Sequence, residues 1–336
     1  GNNLMVRKIV ITGGTGFIGS HLAELLASKK FKVTVFDRYN TNYNLGNLSN
    51  SKFKKNINFI FGDIRDYDSV FNALKDQDIV CHLAALIGIP YSYISPMAYI
   101  KTNVEGTYNV LESAKNLNLE KVLITSTSEV YGSALYTPIN EQHPLQPQSP
   151  YSASKISADN LALSYFNSYD TPVTIMRPFN TFGPRQSARA IIPTIINQMI
   201  NSKKGQINLG NLHPIREFNF VEDVTAAYLR AINSKNIAGK VINIGGGMDI
   251  SIKHLVFKIN KILKKNIIIK RDTKRVRSIK SEVKLLKSSN HLAKKILKWK
   301  PKYIGKKGFD KSLKKTVEWF KNPNNNQSKI YKNYII

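Results

Sequence analysis

The 336-residue chain reads as an α/β protein, a doubly wound parallel sheet followed by a smaller C-terminal α/β domain. Three observations predict this. Short β-rich apolar runs alternate with helix-length runs through the first half of the chain. A glycine loop, Gly13-Gly14-Thr15-Gly16-Phe17-Ile18-Gly19, stands between the first strand and the first helix. After Arg177-Pro178 the alternation breaks, and at about 100–200 residues per domain the length calls for two domains.

In order, residues 8–12 form an apolar strand, the glycine loop follows, and a helical pattern runs to Ala27. Residues 31–36 give a second strand ending at Asp37, and 58–61 a third ending at Gly62-Asp63, before a helix over 67–74. A fourth strand at 78–82 leads into Leu83-Ala84-Ala85; a helix over 103–115 and a fifth strand at 121–125 come next. The helix of Tyr151 and Lys155 runs to about Ser168, and 173–176 is the sixth strand. Beyond it the pattern predicts helices at 191–201, 221–231, 252–264, 291–297 and 308–320, with strands at 206–209, 217–220, 241–244 and 267–269. Residues 1–178, with a return near 214–245, are assigned to the first domain; 179–213 and 246–321 to the second; 322–336 to an Asn-rich tail.

Composition narrows the function classes. No apolar run reaches the roughly 18 residues of a membrane span, no signal-peptide pattern precedes the first strand, and the six histidines show no ligand spacing. The lone Cys81 lies in an apolar run and is read as buried filler. A cytoplasmic, metal-free protein is expected. The formal charge of +28 is concentrated between Lys253 and Lys315, where 23 Lys and Arg face Asp272, Glu282 and Asp310. Stacking aromatics are sparse there and no nucleic-acid motif occurs, so a solvated surface is expected and neither nucleic acid nor membrane is a partner.

Gly14-x-Gly16-x-x-Gly19 follows a strand and opens a helix, the context in which such a loop cradles a pyrophosphate. The helix N-terminus adds free amides and a favourable dipole. Asp37, at the end of the second strand, is placed to accept from a ribose diol and to repel a 2′-phosphate, which favours NAD over NADP. Asp63 is a candidate adenine neighbour or a strand-end cap.

The chemistry concentrates in Thr125-Ser126-Thr127-Ser128-Glu129-Val130-Tyr131-Gly132 and Tyr151-Ser152-Ala153-Ser154-Lys155. Four residues apart on a helix, Tyr151 and Lys155 share a face. A neighbouring ammonium favours the phenolate, so a phenol of ordinary pKa about 10 gains use as a general base. Thr127 can bond the same hydroxyl, and Glu129 is a second titratable group that simple hydride transfer does not need.

Together with His82-Leu83-Ala84-Ala85, Asn103 and Arg177-Pro178-x-Asn180-x-x-Gly183-Pro184, these motifs resemble the extended short-chain dehydrogenase/reductases over roughly residues 5–320. The resemblance implies a Rossmann-type domain binding NAD, a smaller substrate domain, and a nucleotide sugar between them. It implies Tyr151 as base, Lys155 as its electrostatic partner and ribose contact, and Thr127 at the reacting sugar oxygen. Cofactor contacts are implied for Gly13, Gly16, Phe17, Ile18, Gly19, Asp37, Asp63, Ile64, Leu83, Ala84, Ala85 and Asn103. Substrate contacts are implied for Ile87, Tyr91, Asn180 and Arg189, and phosphate contacts for Arg216 and Arg277. It also implies a homodimer joined by helices near 103–115 and 151–168.

Within that family, Thr127-Ser128-Glu129 is similar to UDP-glucuronate decarboxylases and to a group of N-acetylhexosamine dehydratases, whereas the common 4,6-dehydratases carry Thr-Asp-Glu. The stretches 86–93, 147–150 and 185–193 look like the N-acetylglucosamine dehydratases of legionaminic-acid-type pathways. The expected reaction is therefore 4,6-dehydration of UDP- or GDP-linked N-acetylglucosamine. Tyr151 takes the carbon-4 hydroxyl proton as NAD accepts the hydride, and Glu129 removes the carbon-5 proton. Serine is a poor acid at position 128, so either Glu129 shuttles its proton to the departing carbon-6 hydroxyl, the preferred route, or Ser128 relays one through water; hydride return to carbon 6 gives a 4-keto-6-deoxy sugar nucleotide. The alternatives are UDP-glucuronate decarboxylation or 4-epimerisation on the same scaffold, or a non-enzymatic NAD- or polyanion-binding role.

Overall fold

A computed structural model describes residues 5–273 and 285–325. In chain order its elements are β1 (Lys8–Thr12), α1 (Phe17–Ser28), β2 (Lys32–Arg38), β3 (Ile57–Gly62), α2 (Tyr67–Leu74), β4 (Ile79–His82), α3 (Ile89–Ile94) and α4 (Pro96–Tyr99). A π-helical segment, Ile100–Glu105, joins α4 to α5 (Gly106–Asn116). Then come β5 (Lys121–Thr125), α6 (Pro150–Tyr169), β6 (Val173–Pro178), β7 (Thr181–Phe182), α7 (Ile191–Asn201), β8 (Gln206–Leu209) and β9 (Ile215–Phe220). The remainder is α8 (Val221–Asn233), β10 (Val241–Ile244), β11 (Met248–Ser251), α9 (Ile252–Leu263), β12 (Ile268–Arg271), α10 (His291–Leu297) and α11 (Gly305–Lys321).

Seven strands form one all-parallel sheet in the order β10-β6-β5-β4-β1-β2-β3. Strand order reverses between β1 and β4, the switch point at which such sheets open a crevice beyond their C-terminal ends. The strands read as continuous apolar runs because both faces are covered. Along β1, Ile9 and Ile11 join the core under α1, α8 and α10, while Val10 joins the core under α2, α5 and α6. Cys81 is fully buried in the first of these cores, and burial pushes its thiol up to about 12, as expected of an inert filler. A smaller three-stranded sheet, β11-β9-β7, and the pair β12-β8 pack with α7, α9 and α11 around Phe182, Phe218, Phe220 and Phe309. Among the described residues no helix is long and apolar enough to cross a membrane, and no His/Cys/Asp/Glu group could hold a metal.

The structure departs from the sequence reading in four places. The helix expected from Asn103 starts at Pro96 and passes through the π segment, and 89–94 is helical too, both stretches opening on a proline early in the first turn. Strands β7 and β11 were unforeseen: β7 has only two residues, and in β11, Met-Asp-Ile-Ser, Ile250 is the one strongly strand-forming residue.

Candidate active site

The glycine loop is shaped by contacts that a side chain would block. Gly13, at φ +71, donates to the Phe36 carbonyl at 2.9 Å, and a Cβ there would lie 2.8 Å from the Ala84 amide nitrogen. Asp37 braces the same loop. One of its oxygens accepts from the Thr15 amide (2.9 Å) and hydroxyl (2.5 Å), the other from the Arg38 amide (2.7 Å). Asp63 pairs with Arg65 at 2.8 Å, which holds its carboxyl below the usual range.

The next strand end is set by a buried relay. Thr12 Oγ1 accepts from the Leu83 and Ala84 amides (3.0 and 3.1 Å) and faces His82 Nδ1 at 2.7 Å. Its proton therefore goes to Nδ1, leaving Nε2 to donate to Thr107 Oγ1 at 3.1 Å, whose own proton goes to the Asn103 carbonyl. Burial keeps His82 neutral, its pKa pushed down to about 3. Asn103 itself accepts from the Leu86 amide (2.9 Å) and donates to the Leu86 carbonyl and Ser154 hydroxyl (both 3.0 Å). It braces the 83–86 segment, whose Leu83, Ala84, Ala85 and Leu86 line the cavity at the C-terminal end of the sheet.

Beyond β5, Thr127 caps a 3-10 turn, Ser128–Tyr131, accepting from the Glu129 amide at 3.2 Å. Tyr151 is delivered by the first turn of α6, which Ser149 and Ser152 cap reciprocally and Pro150 opens. Lys155 lies one turn further on, and its ammonium donates to the Thr125 carbonyl at 2.9 Å. The shared helix face is as expected; the electrostatics are not. Burial pushes the Tyr151 phenol up, the Thr127 hydroxyl pulls it down, and Glu129, Asp159 and Tyr99 raise it further. Burial likewise lowers Lys155, against the support of Asp159. Both groups are taken from water, which opposes either charged form before any pairing acts.

These elements enclose a cavity of about 1200 Å³ at the C-terminal end of the sheet. Its wall includes Gly13, Gly16, Phe17, Ile18, Gly19 and Asp37, with Asp63, Ile64, Leu83, Ala84 and Ala85. The same wall carries Thr127, Ser128, Glu129, Tyr151 and Lys155. Ile87, Tyr91, Asn180, Arg189 and Arg216 also line it, whereas Arg277 lies outside the described residues. Sequence reasoning missed Thr102, Gln186, Ser187 and the buried Glu217. Glu217 accepts from the Ser288 amide and hydroxyl (3.0 and 2.8 Å) and from Asn219 (3.0 Å). Its principal partner is 71 residues away, and no local spacing marks it.

A doubly wound sheet whose glycine loop and Thr/Tyr/Lys set meet at the switch point is the arrangement of the extended short-chain dehydrogenase/reductases. Within that class the chain belongs to the GDP-mannose 4,6 dehydratase family, whose model matches residues 10–312; it is an enzyme of the nucleotide-sugar dehydratase and epimerase type. A dTDP-D-glucose 4,6-dehydratase of Dictyostelium discoideum is 38% identical over 78% of this chain and 63% of its own length. The UDP-glucuronic acid 4-epimerase of Bacillus cereus, solved with UDP-glucuronic acid and NAD, superposes with a TM-score of 0.84 at 30% identity, covering 94% of this chain and 99% of its own. The dTDP-glucose 4,6-dehydratase DesIV of Streptomyces venezuelae, solved with NAD and TYD, gives 0.83 at 27% identity over 94% and 98%. None of these relatives ties the chain to legionaminic-acid-type pathways.

Proposed function

We propose that the protein is an NAD-dependent nucleotide-sugar 4,6-dehydratase, and that its sugar is N-acetylglucosamine carried on UDP or GDP. The observation that carries dehydration is Glu129, a carboxylate on the cavity wall whose charge acts on the Tyr151 phenol. The glycine loop and Asp37 fit a dinucleotide, because Gly13, Gly16 and Gly19 line the cavity at the N-terminus of α1 and Asp37 lines it at the end of β2. NAD, when bound there, supplies a reversible hydride acceptor.

The chain's own residues perform the proton work. Thr127 and Tyr151 meet the carbon-4 hydroxyl, and Tyr151 takes its proton while the Lys155 cation stabilises the phenolate. The carbon-4 ketone acidifies the carbon-5 hydrogen, which Glu129 removes. Since Ser128 is no acid, Glu129 returns that proton to the carbon-6 hydroxyl as it leaves as water; return of the hydride to carbon 6 and of a proton to carbon 5 then completes the 4-keto-6-deoxy sugar. Asn180, Arg189 and Arg216 would hold the sugar and diphosphate, contributing remote binding energy to the orientation of the ring. Support for N-acetylglucosamine comes from the 86–93 stretch, whose Ile87 and Tyr91 reach the cavity.

A second reading, 4-epimerisation, is favoured by Ser128 and by the epimerases among the structural relatives, which include a UDP-N-acetylglucosamine 4-epimerase of Methanobrevibacter ruminantium. Incubation with dTDP-glucose, UDP- and GDP-N-acetylglucosamine and UDP-glucuronate separates the readings by mass. Dehydration loses water, decarboxylation loses carbon dioxide, and epimerisation leaves mass unchanged. Turnover without water loss on every sugar refutes the proposal. We also propose a homodimer, supported by exposed Ile94, Met97, Ile100 and Tyr108 along α3–α5; a monomer by light scattering refutes that.

A further inference from the structure

Asp159 lies one turn beyond Lys155 on α6 and is wholly buried. One carboxylate oxygen accepts from the Ser126 hydroxyl and from Arg177 Nε and Nη2 at 3.2 and 3.1 Å. Among the described residues the other oxygen is buried without a hydrogen-bond partner. The carboxylate thus touches the strand end that leads to Thr127–Glu129 and the strand end that leads to Asn180. Asp159 stands four residues beyond Lys155 and eight beyond Tyr151, so the three share one buried face of α6, with the Asp159 carboxylate between that face and the Arg177 guanidinium.

We propose that Asp159 is a positioning residue for the reaction, its charge between Lys155 and Arg177 setting the pH at which the Tyr151/Lys155 pair works. The inference rests on the general-base reading of that pair. Every group facing the cluster enters the sign. Asp159 supports the Lys155 ammonium and raises the Tyr151 phenol. Burial pushes the Asp159 carboxyl up, while Arg177, the Ser126 hydroxyl and Lys155 favour its charged form; from the neighbouring elements, Tyr131 receives the other arm of Arg177 at 3.0 Å, Glu129 and Tyr99 raise Tyr151, and His82 is held down by burial and by Lys155. Neutralising Asp159 therefore moves Tyr151 and Lys155 the same way, to lower pH. Loss of a merely structural contact would lower stability and activity without moving either.

The test reads ionisation rather than turnover. In NAD-loaded protein, the ultraviolet tyrosinate signal lost on Tyr151→Phe reports the pH at which Tyr151 ionises. Asp159→Asn is expected to lower that pH by about one unit, a tenfold change in the ionisation constant, and Asp159→Glu to restore it. Ser126→Ala, which only deletes one hydrogen bond to the carboxylate and so favours its neutral form, is expected to give a smaller shift of the same sign. An unmoved Tyr151 titration in Asp159→Asn overturns the proposal. If that variant does not fold, Ser126→Ala decides: a downward shift supports the proposal and no shift overturns it. Undiminished turnover of a nucleotide sugar by Tyr151→Phe would instead sink the general-base reading, whatever Asp159 does.

Discussion

Two glycines of the cofactor loop separate packing from ligand approach. Gly19 is the third residue of α1, where alanine is ordinarily favoured by about 1 kcal/mol. Here a Cβ would stand 2.2 Å from the Gly13 carbonyl oxygen and 2.9 Å from Gly13 C and Gly14 Cα, all backbone that cannot rotate away. Relief needs a displacement of about 1 Å between α1 and the loop, an overpacking that costs about 1–3 kcal/mol. Gly19→Ala is therefore expected to cost up to about 2 kcal/mol net, about 3 °C in Tm for a chain of this length, and to displace the phosphate-facing amides. Gly16 differs: its φ of −76 is open to any residue, and its Cβ would meet one atom, the Gly13 oxygen, at 3.2 Å. Gly16→Ala is expected to keep the NAD-stripped protein within about 0.5 kcal/mol of the parent, yet to lose NAD tenfold or more, because that glycine lets the backbone approach the pyrophosphate. The assay is thermal unfolding of stripped protein alongside NAD released per chain from freshly purified protein. Full NAD retention by Gly16→Ala refutes the pyrophosphate assignment, and an unchanged Tm for Gly19→Ala refutes the packing argument.

Other expectations follow from single groups. Glu129→Gln should retain NAD and still oxidise carbon 4, while water loss slows by about 10²–10⁴-fold; mass spectrometry showing water loss at the parent rate would remove Glu129 from the mechanism. Asp37→Ala strands the Thr15 amide and hydroxyl, so stability should fall by about 1–3 kcal/mol and the preference for NAD over NADP should narrow, read by competitive binding. His82 and His21 are held neutral by burial, down to about 3 and about 4 from 6.5. Their folded values are depressed, so their contribution is complete above pH 6.5 and fades as pH falls towards those values, at about 1.4 kcal/mol per unit for each group. Urea midpoints between pH 7 and 5 should decline, and His82→Gln should flatten the slope; an identical slope in the variant contradicts the assignment.

What was legible in the chain was what local pattern dictates. Gly13 and Gly19 announce themselves because one backbone passes another too closely for a side chain, a constraint written into seven consecutive residues. Tyr151 and Lys155 share a face because helical geometry allows nothing else. Their electrostatics were illegible, since burial is a property of the assembled fold: the phenol is raised, and the ammonium is bonded to a strand end 30 residues away. The partners of Asn103 were illegible for the same reason: its amide is bonded to Leu86 and Ser154, 17 and 51 residues distant. The clasp on the substrate side lies further still from any spacing rule: Arg185 pairs with Glu24 at 2.5 Å, and His21 meets the Pro184 carbonyl at 2.8 Å. It fixes the segment carrying Gln186, Ser187 and Arg189 to the helix whose N-terminus faces the cofactor loop.

Position 128 shows how far the two kinds of reading combine. As a letter, Ser128 removes an acid from the common dehydratase pattern. In the fold it is buried yet still on the cavity wall, and it stands inside the turn that Thr127 caps. A carboxylate introduced there would lie next to Glu129 and near the Tyr151 phenol, which Glu129 and Asp159 already hold up. Like charges in one desolvated site cannot all ionise. Ser128→Asp would therefore hold one carboxyl of the pair protonated, which supplies the missing acid at the cost of a Tyr151 phenolate that forms less readily. A dehydratase should then gain in the water-loss step and lose in the oxidation step. An epimerase has no water-loss step to accelerate, so it should only lose.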